Sequence, residues 1–425
     1  MTVTTTALSA LSAGGQALST IGNNLANSGT VGYKTEEAMF STIVSGNAGG
    51  NTFSSSAVQA QPIRNIGEQG LLAATSSNTD FAVSGNGFFV VGKTGDLATG
   101  AVNDFAFTRA GSFKPDKQGY LANASGYYLQ GWPTDTDGKP IANNLNSLDQ
   151  LQSVSVNQIA GITTPTSKVG LKLNLPAEIA VGGTAPTTIP VFNSLGEGNP
   201  LLCTWKKATN IPLVWNLTIT IPNGTVKMND VNGAAYTDMA VEFDGAGKPL
   251  KYNGVTNPPP NIFVTWNSAA NPSTFTLNLG DLNTADGITC NAGPYSETLV
   301  TQDGNGPGQL TGIAMSEEGL VSAIFSNGQT LNIFLVPLAN FAAPHKLSPG
   351  NGNVWTQTNA SGSFLLATAK SAGMGSIMAN SLEQSTVELA QQLTKMMEVE
   401  RFYSSNVQVI KADENMFNDL KQLSR

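Results

Sequence analysis

A single histidine, His345, sets the first limit on chemistry in this 425-residue chain. Mechanisms that share a proton or a metal between two histidines are excluded. A Ser-His-Asp site would need a patterned acid beside His345, which instead lies in a Pro- and Ser-rich stretch. Cys203 and Cys290 are too far apart for a zinc knuckle. Cys203, inside Leu201-Leu-Cys-Thr-Trp205, reads as a small buried apolar side chain, and a 203–290 disulfide stays open. Asp303-Gly-Asn-Gly306 and Asp135-Thr-Asp-Gly138 resemble pieces of an oxygen-ligand loop, but the further acids of a calcium loop are missing. Gly85-Asn-Gly87 and Gly46-Asn-Ala-Gly-Gly50 lack the spacing and the Lys-Ser/Thr of a phosphate loop and read as turns. No carboxylate pair is nominated for sugar cleavage, and Trp132, Trp205, Trp215, Trp266 and Trp355 are scattered singly. The expectation is no enzyme, no metal and no cofactor.

Charge narrows the partners. With 21 Lys+Arg against 29 Asp+Glu the net charge is -8, and no basic run occurs, which disfavours nucleic acid and anionic membrane. No apolar run approaches the ~20 residues needed to insert in a bilayer. The N-terminus has neither a basic region nor a compact apolar core, so a cleaved secretory peptide is not expected. A cytosolic protein remains, or one exported by another route.

Three textures follow one another: helix-like over 7–27, strand-and-turn-like over 30–375, and helix-like over 378–422. In the first, Leu11, Leu18 and Leu25 recur at sevens with Gly14 and Ile21 between them, a narrow apolar stripe on a Ser/Thr/Ala/Gln/Asn surface. Gly14, Gly15 and Gly22 each cost such a helix roughly 1 kcal/mol, so it should wait for partners and be unfolded in a dilute subunit. In the last, Leu382, Leu389, Met396, Tyr403, Ile410 and Phe417 stand at sevens, with Leu393 and Val407 in alternate slots. A helix over 382–420 would run about 58 Å and needs an equally long partner. Pairing the two chain ends is the economical solution.

The middle is β-rich. Asp80 to Val91, Phe105 to Phe113 and Gly126 to Trp132 read as strands, with turns at Gly85, Gly87, Gly111 and Gly119. Downstream, Asn327-Gly328 is the strongest hairpin signal. Residues 146–300 are richer in Asn, Thr and Pro, with strands of their own at 168–174, 212–221, 238–244 and 261–278, and look like an insertion. Residues 41–70, rich in Ser, Gly, Asn and Gln, read as a linker that orders only against a neighbour. The expected fold is multidomain. Residues 1–33 and 376–425 form paired terminal helices in a coiled-coil-like domain. Residues 34–78 form an extended strut, 79–145 with 301–375 an inner mainly-β domain, and 146–300 an outer β domain nested in it by insertion.

Ile21-Gly-Asn-Asn-Leu-Ala-Asn27 (Asn23, Asn24, Leu25, Asn27) with Thr30-Val-Gly-Tyr-Lys34 (Gly32, Tyr33) closely resembles the N-terminal signature of the axial proteins of the bacterial flagellum, the rod and hook group. Asp80 to Val91, Phe107-Thr-Arg-Ala-Gly-Ser-Phe113 and Gly126 to Trp132 resemble that group's inner-domain motifs. Asp303-Gly304 with Gly308, then Ser326-Asn-Gly-Gln329, resembles the return from the outer domain. Ser381-Leu-Glu383, Ser385 to Leu389, Glu400-Arg401-Phe-Tyr403 and Asn406 resemble its C-terminal helix signature; Glu400 and Ser404-Ser405 depart from the usual Gln and Gln-Ala. The matches touch roughly half of the chain. The inserted region, with Val191 to Gly196 and Val241 to Asp244, is similar to the outer domain of hook-forming members.

The resemblance implies a structural subunit of the hook, a homo-oligomer whose helical polymer is a curved hollow tube. That tube acts as a flexible universal joint for motor torque, outside the cell and attached to the basal body. It implies export by the flagellar secretion apparatus and, as neighbours, the distal rod protein, the hook cap protein and the hook–filament junction protein. A distal rod subunit is the near alternative, and a secreted glycan-binding or glycan-cleaving β protein the remote one.

Overall fold

The computed structural model describes residues 2–46, 53–96, 101–156, 163–211, 213–229, 235–254 and 261–423. The chain separates into two compact units, one of residues 1–158, 312–324 and 330–425, the other of 159–311 and 325–329. The first unit therefore continues past 145. Strand Gln152–Ser153 pairs with Gln130 and Gly131, and Leu151 joins the core around Trp132. The Asn327-Gly328 turn, expected in the inner domain, groups with the second unit, where Asn327 Nδ2 donates to Gly306 O at 2.9 Å.

In the first unit, α1 (Thr2–Ala26) packs along α2 (Leu389–Leu423) and along a long hairpin of β1 (Glu36–Gly46) and β2 (Phe53–Arg64). Three expectations are corrected here. The buried face of α1 is Ala7, Ala10, Ala13, Gly14, Ala17, Thr20, Ile21 and Asn24. It spaces at three and four like any packed helix face, but small residues carry it, because they let the helix approach its neighbours closely. Of the expected stripe, Ile21 and Gly14 lie on that face, whereas Leu11 and Leu25 are half-buried and Leu18 is exposed.

Second, α2 begins at Leu389. Ser376–Ala379 and Ser381–Glu383 are short strands, antiparallel to β4 (Phe81–Ser84) and β3 (Leu72–Ala74) respectively. Leu382 thus belongs to a strand, since cross-strand pairing satisfies a backbone that the heptad spacing alone would have left helical. Third, within the segment expected to order only against a neighbour, Glu36–Gly46 and Phe53–Arg64 are strands. The strands pair from Glu36↔Arg64 to Gly46↔Phe53, with one irregularity at Ile43/Val44. The opposed pairs Ala38↔Pro62, Phe40↔Ala60 and Thr42↔Val58 share a face. That face meets both helices: Val58 N–H donates to Ser9 Oγ at 3.1 Å, and the Phe40 and Phe402 rings stand 6.0 Å apart. Ladder hydrogen bonds need no apolar side chains, which is why a Ser/Gln-rich segment can form long strands.

The β part of this unit centres on β5 (Phe88–Asp96), which pairs antiparallel with β6 (Ala101–Thr108), Tyr128–Pro133 and Pro337–Phe341. Phe88, Phe107, Trp132, Phe341 and Trp355 fill its core, with Phe107 edge-on to Phe341 at 4.8 Å.

The second unit has two sheets over one core containing Trp205, Trp215, Leu217 and Met239. Its strands Thr184–Phe192 and Gly198–Thr209 escaped sequence reading because Pro186, Pro190 and Pro200 interrupt them. Thr184–Phe192 lies at a sheet edge, and Pro200 sits before the pairing with Leu213–Thr220 starts, so none of the missing N–H groups breaks a ladder.

One turn recurs across both units: an Asx residue whose side chain accepts backbone N–H from the residue four ahead, with a left-handed glycine three ahead. Asp116/Gly119, Asn123/Gly126, Asp135/Gly138, Asn193/Gly196 and Asp244/Gly247 all follow it. The Asp135-Thr-Asp-Gly138 motif is therefore a hairpin turn, with Asp135 Oδ1 accepting from Lys139 N at 2.8 Å.

Candidate functional site

The group of side chains that joins the most distant parts of the chain lies where both termini meet the hairpin. Asn27 ends α1: its N–H and Nδ2 both donate to Asn23 O, and its Oδ1 accepts from Thr30 Oγ1. The chain then reverses at Gly32, where φ is +67 and an added Cβ would stand 2.8 Å from Ala110 N, so only glycine fits.

That reversal brings Tyr33 and Glu36 back against Asn24. Asn24 is buried and uses both ends of its amide. Its Nδ2 donates to Glu36 O (2.7 Å) and Gln392 Oε1 (3.1 Å), while Oδ1 accepts from Glu36 N (3.0 Å) and Tyr33 OH (3.2 Å). One side chain thus fastens α1, α2 and β1. Burial, with Glu36 beside it, pushes the Tyr33 phenol up to about 12, so it remains a donor at any physiological pH. Thr35 N–H donates to Thr386 Oγ1 (2.9 Å), and Lys395 pairs with Glu37 at 2.6 Å.

Beneath this layer is a charged cluster. Glu383, with no exposed side-chain surface, meets Lys34 Nζ at 2.5 Å and Arg109 Nη1 at 3.5 Å, and Gly70 N–H donates to the same carboxylate at 2.8 Å. Lys34 also donates to Glu68 O, and Arg109 to Gly85 O at 2.8 Å, with its guanidinium 5.2 Å from the Phe88 ring centre. Burial lowers the Lys34 and Arg109 pKa values, and the Glu383 carboxylate works against that shift at both. Sequence reading found Asn24, Gly32 and Tyr33 but did not single out Lys34, Arg109, Glu383 or Gln392. The available signal was three charged residues inside motifs of a chain only 12% charged.

The other expected positions divide cleanly. Gly85 and Gly87 adopt positive φ beside the Arg109 contact, as does Gly119 in its Asx turn. Gly111 lies so close to Phe81 O that no Cβ could stand there. On α2, Met396, Asn406, Val407 and Ile410 are half-buried, and Asn406 Nδ2 donates to Phe402 O. Leu389, Leu393, Arg401, Tyr403 and Phe417 are exposed, Leu389 at 50% and Phe417 at 63%. With Leu8 (64%) and Leu18 on α1 and Met397 and Met416 on α2, the apolar members of this set leave large apolar side chains exposed on the helix pair, among exposed polar residues such as Gln16, Gln391, Glu398 and Lys411.

The residues that suggested reactive chemistry are occupied otherwise. Asp303 Oδ1 accepts from Ser167 N (2.7 Å) and Lys168 N (2.8 Å), and Oδ2 from Ser167 Oγ. Burial raises its pKa, but these donors together outweigh that and hold it below the ordinary value. Cys203 and Cys290 are free and buried, without a disulfide; burial pushes the Cys203 thiol up to about 12, far from a reactive thiolate. His345 lies in the short turn Pro344–Lys346. The helices described are too short or too polar to cross a membrane.

Four family models cover most of the chain: flagella basal body rod protein over 5–34, flagellar hook protein FlgE/F/G D1 domain over 82–173, flagellar basal body protein FlaE D2 domain over 176–305, and flagellar basal body rod FlgEFG protein C-terminal over 378–423. Flagellar hook protein FlgE of Brucella suis is 32% identical over 99% of this chain and 98% of its own length, and that of Escherichia coli K12 is 30% identical over 98% of each. The crystal structure of Helicobacter pylori flagellar hook protein FlgE2 superposes on 73% of this chain and 100% of its own, with a TM-score of 0.45 at 15% identity. Asn24, Asn27, Lys34, Arg109, Glu383 and Gln392 fall within these matched segments, as does all of α2, and the chain belongs to the flagellar hook and basal-body rod protein family.

Proposed function

We propose that this chain is the structural subunit of a flagellar hook, polymerising into a curved hollow tube that passes motor torque to the filament while bending. The observation that carries this is the set of large apolar side chains that the helix pair leaves exposed. α1 spends its small residues on its own subunit and leaves Leu8 and Leu18 outside, while α2 exposes Leu389, Leu393, Met397, Met416 and Phe417. Large apolar surface left in water is unfavourable by about 25 cal/mol per Å², and neighbouring copies of the same pair can cover it along a shared axis. The terminal helices would form the inner wall of that tube. Low charge on the outer β domain suits contacts that rearrange as the tube bends. The partners that follow are the distal rod protein at one end, the hook–filament junction protein at the other, the hook cap protein during growth, and the flagellar export apparatus. The extracellular hook attached to the basal body is its place.

The rod reading keeps one support, since the two terminal segments match models named for rod proteins. Electron microscopy of purified protein concentrated under assembly conditions separates the two. Curved hollow tubes of uniform width are expected; straight tubes would favour the rod, and no ordered polymer would overturn both.

A further inference from the structure

Residues 376–386 thread through three segments from the N-terminal part of the chain. Ser376–Ala379 pairs with β4, Ser381–Glu383 with β3, Gly32 N–H donates to Glu383 O at 2.8 Å, and Thr386 N–H donates to Tyr33 O. At its centre, Glu383 is the only carboxylate, among the described residues, within ion-pair distance of Lys34 or Arg109. Their side chains are 1% and 3% exposed. We propose that 376–386 is a closing strap whose Glu383 carboxylate is the counter-charge without which Lys34 and Arg109 cannot be buried. The inner β domain then stays open until the C-terminal segment of the same chain has docked.

The charge count makes the case. Two cations and one anion leave the cluster with an excess positive charge away from water, and Arg109 Nε has no partner. A buried cation that loses its partner is strongly unfavourable, more so than one removed along with it. Before the strap arrives, Lys34 and Arg109 must both remain hydrated. That holds apart the Lys34 turn, the 68–70 loop and the β4–β5 turn at Gly85, which the cluster draws together. Docking of α2 is tied to the same event, because the helix begins shortly after the strap at Leu389.

Hydrogen exchange on full-length Glu383→Gln, Lys34→Met, the double variant and wild type tests this, with amides of Lys168–Pro176 and Leu213–Thr220 in the second unit as internal reference. Glu383→Gln keeps the shape and removes the charge. Exchange in Phe81–Ser84 and at Phe88–Val91 should quicken by more than about a hundredfold, the scale set by breaking a buried pair, while the reference amides stay unchanged. Lys34→Met leaves one cation for one anion and should exchange like wild type or more slowly. The double variant, with one cation unpaired instead of two, should be better protected than Glu383→Gln alone. Equal protection in Glu383→Gln and wild type overturns the proposal. So does a double variant worse than Glu383→Gln, which would mean that contacts rather than charge hold the strap.

Discussion

Asn24 shows how much one amide can hold. Its four hydrogen bonds leave neither end spare, and the sequence neighbour Asn23 contributes only its backbone oxygen. The two asparagines look alike in the motif and differ completely in role. Asn24→Ala should cost about 2–3 kcal/mol, because it strands Gln392, whose Nε2 already lacks a partner, in a buried site. Asn23→Ala, on the exposed face, should stay within about 0.5 kcal/mol. Thermal and denaturant unfolding of the two variants checks this, and similar losses in both would refute the assignment of the hub to Asn24. Asn24→Asp should be no milder than alanine, since it sets a carboxylate against two carbonyl oxygens.

Among the elements, the terminal helices divide their faces by residue size. Gly14 lies on the inner face, where an added Cβ would stand 3.3 Å from Phe402 Cδ1, so the two helices are packed at glycine distance there. Leu8 and Leu18 on α1 and Leu389 and Leu393 on α2 lie outside. Leu389→Asp should therefore leave subunit stability almost unchanged, as the side chain is already half in water, yet abolish tubes by placing a charge in a seam between copies. Gln391→Asp, also exposed but off the apolar stripe, should assemble normally. Sedimentation and microscopy of the two variants decide it: equal assembly would remove the stripe from the polymer contact.

For the whole molecule, the hairpin matters most. Its inner face meets the helices at Val58 and Phe40, the latter still 49% exposed, and Met39, Ile43 and Ile63 on the opposite face are exposed as well. Shortening it by replacing 43–57 with a two-residue Asn-Gly turn keeps the Thr42↔Val58 pair, and with it Val58 and Ala60 against α1, and should leave both β units folded. Tubes should be absent, or straight and weak under torque, because an outward ledge between neighbouring copies is gone. Swimming cells whose hooks keep normal curvature and normal resistance to twisting after this shortening would show that the hairpin is not part of the joint.

How much of this was legible in the sequence follows from the range of the interactions. Periodicity and composition are local or repeating signals. They were enough for two terminal helices and a β-rich middle, and the motif resemblance led to the family. The helix start at Leu389 was not legible, because strand pairing of 381–383 with 72–74 overrides a heptad spacing that looks the same in either conformation. Nor was the small-residue face of α1, since alanine carries little hydrophobic signal and close approach is known only once the partner is placed. The hairpin was missed because its stability lies in backbone ladders that composition does not register. The Lys34–Glu383–Arg109 cluster was missed because charges so distant in the chain acquire meaning only when folding removes the water between them.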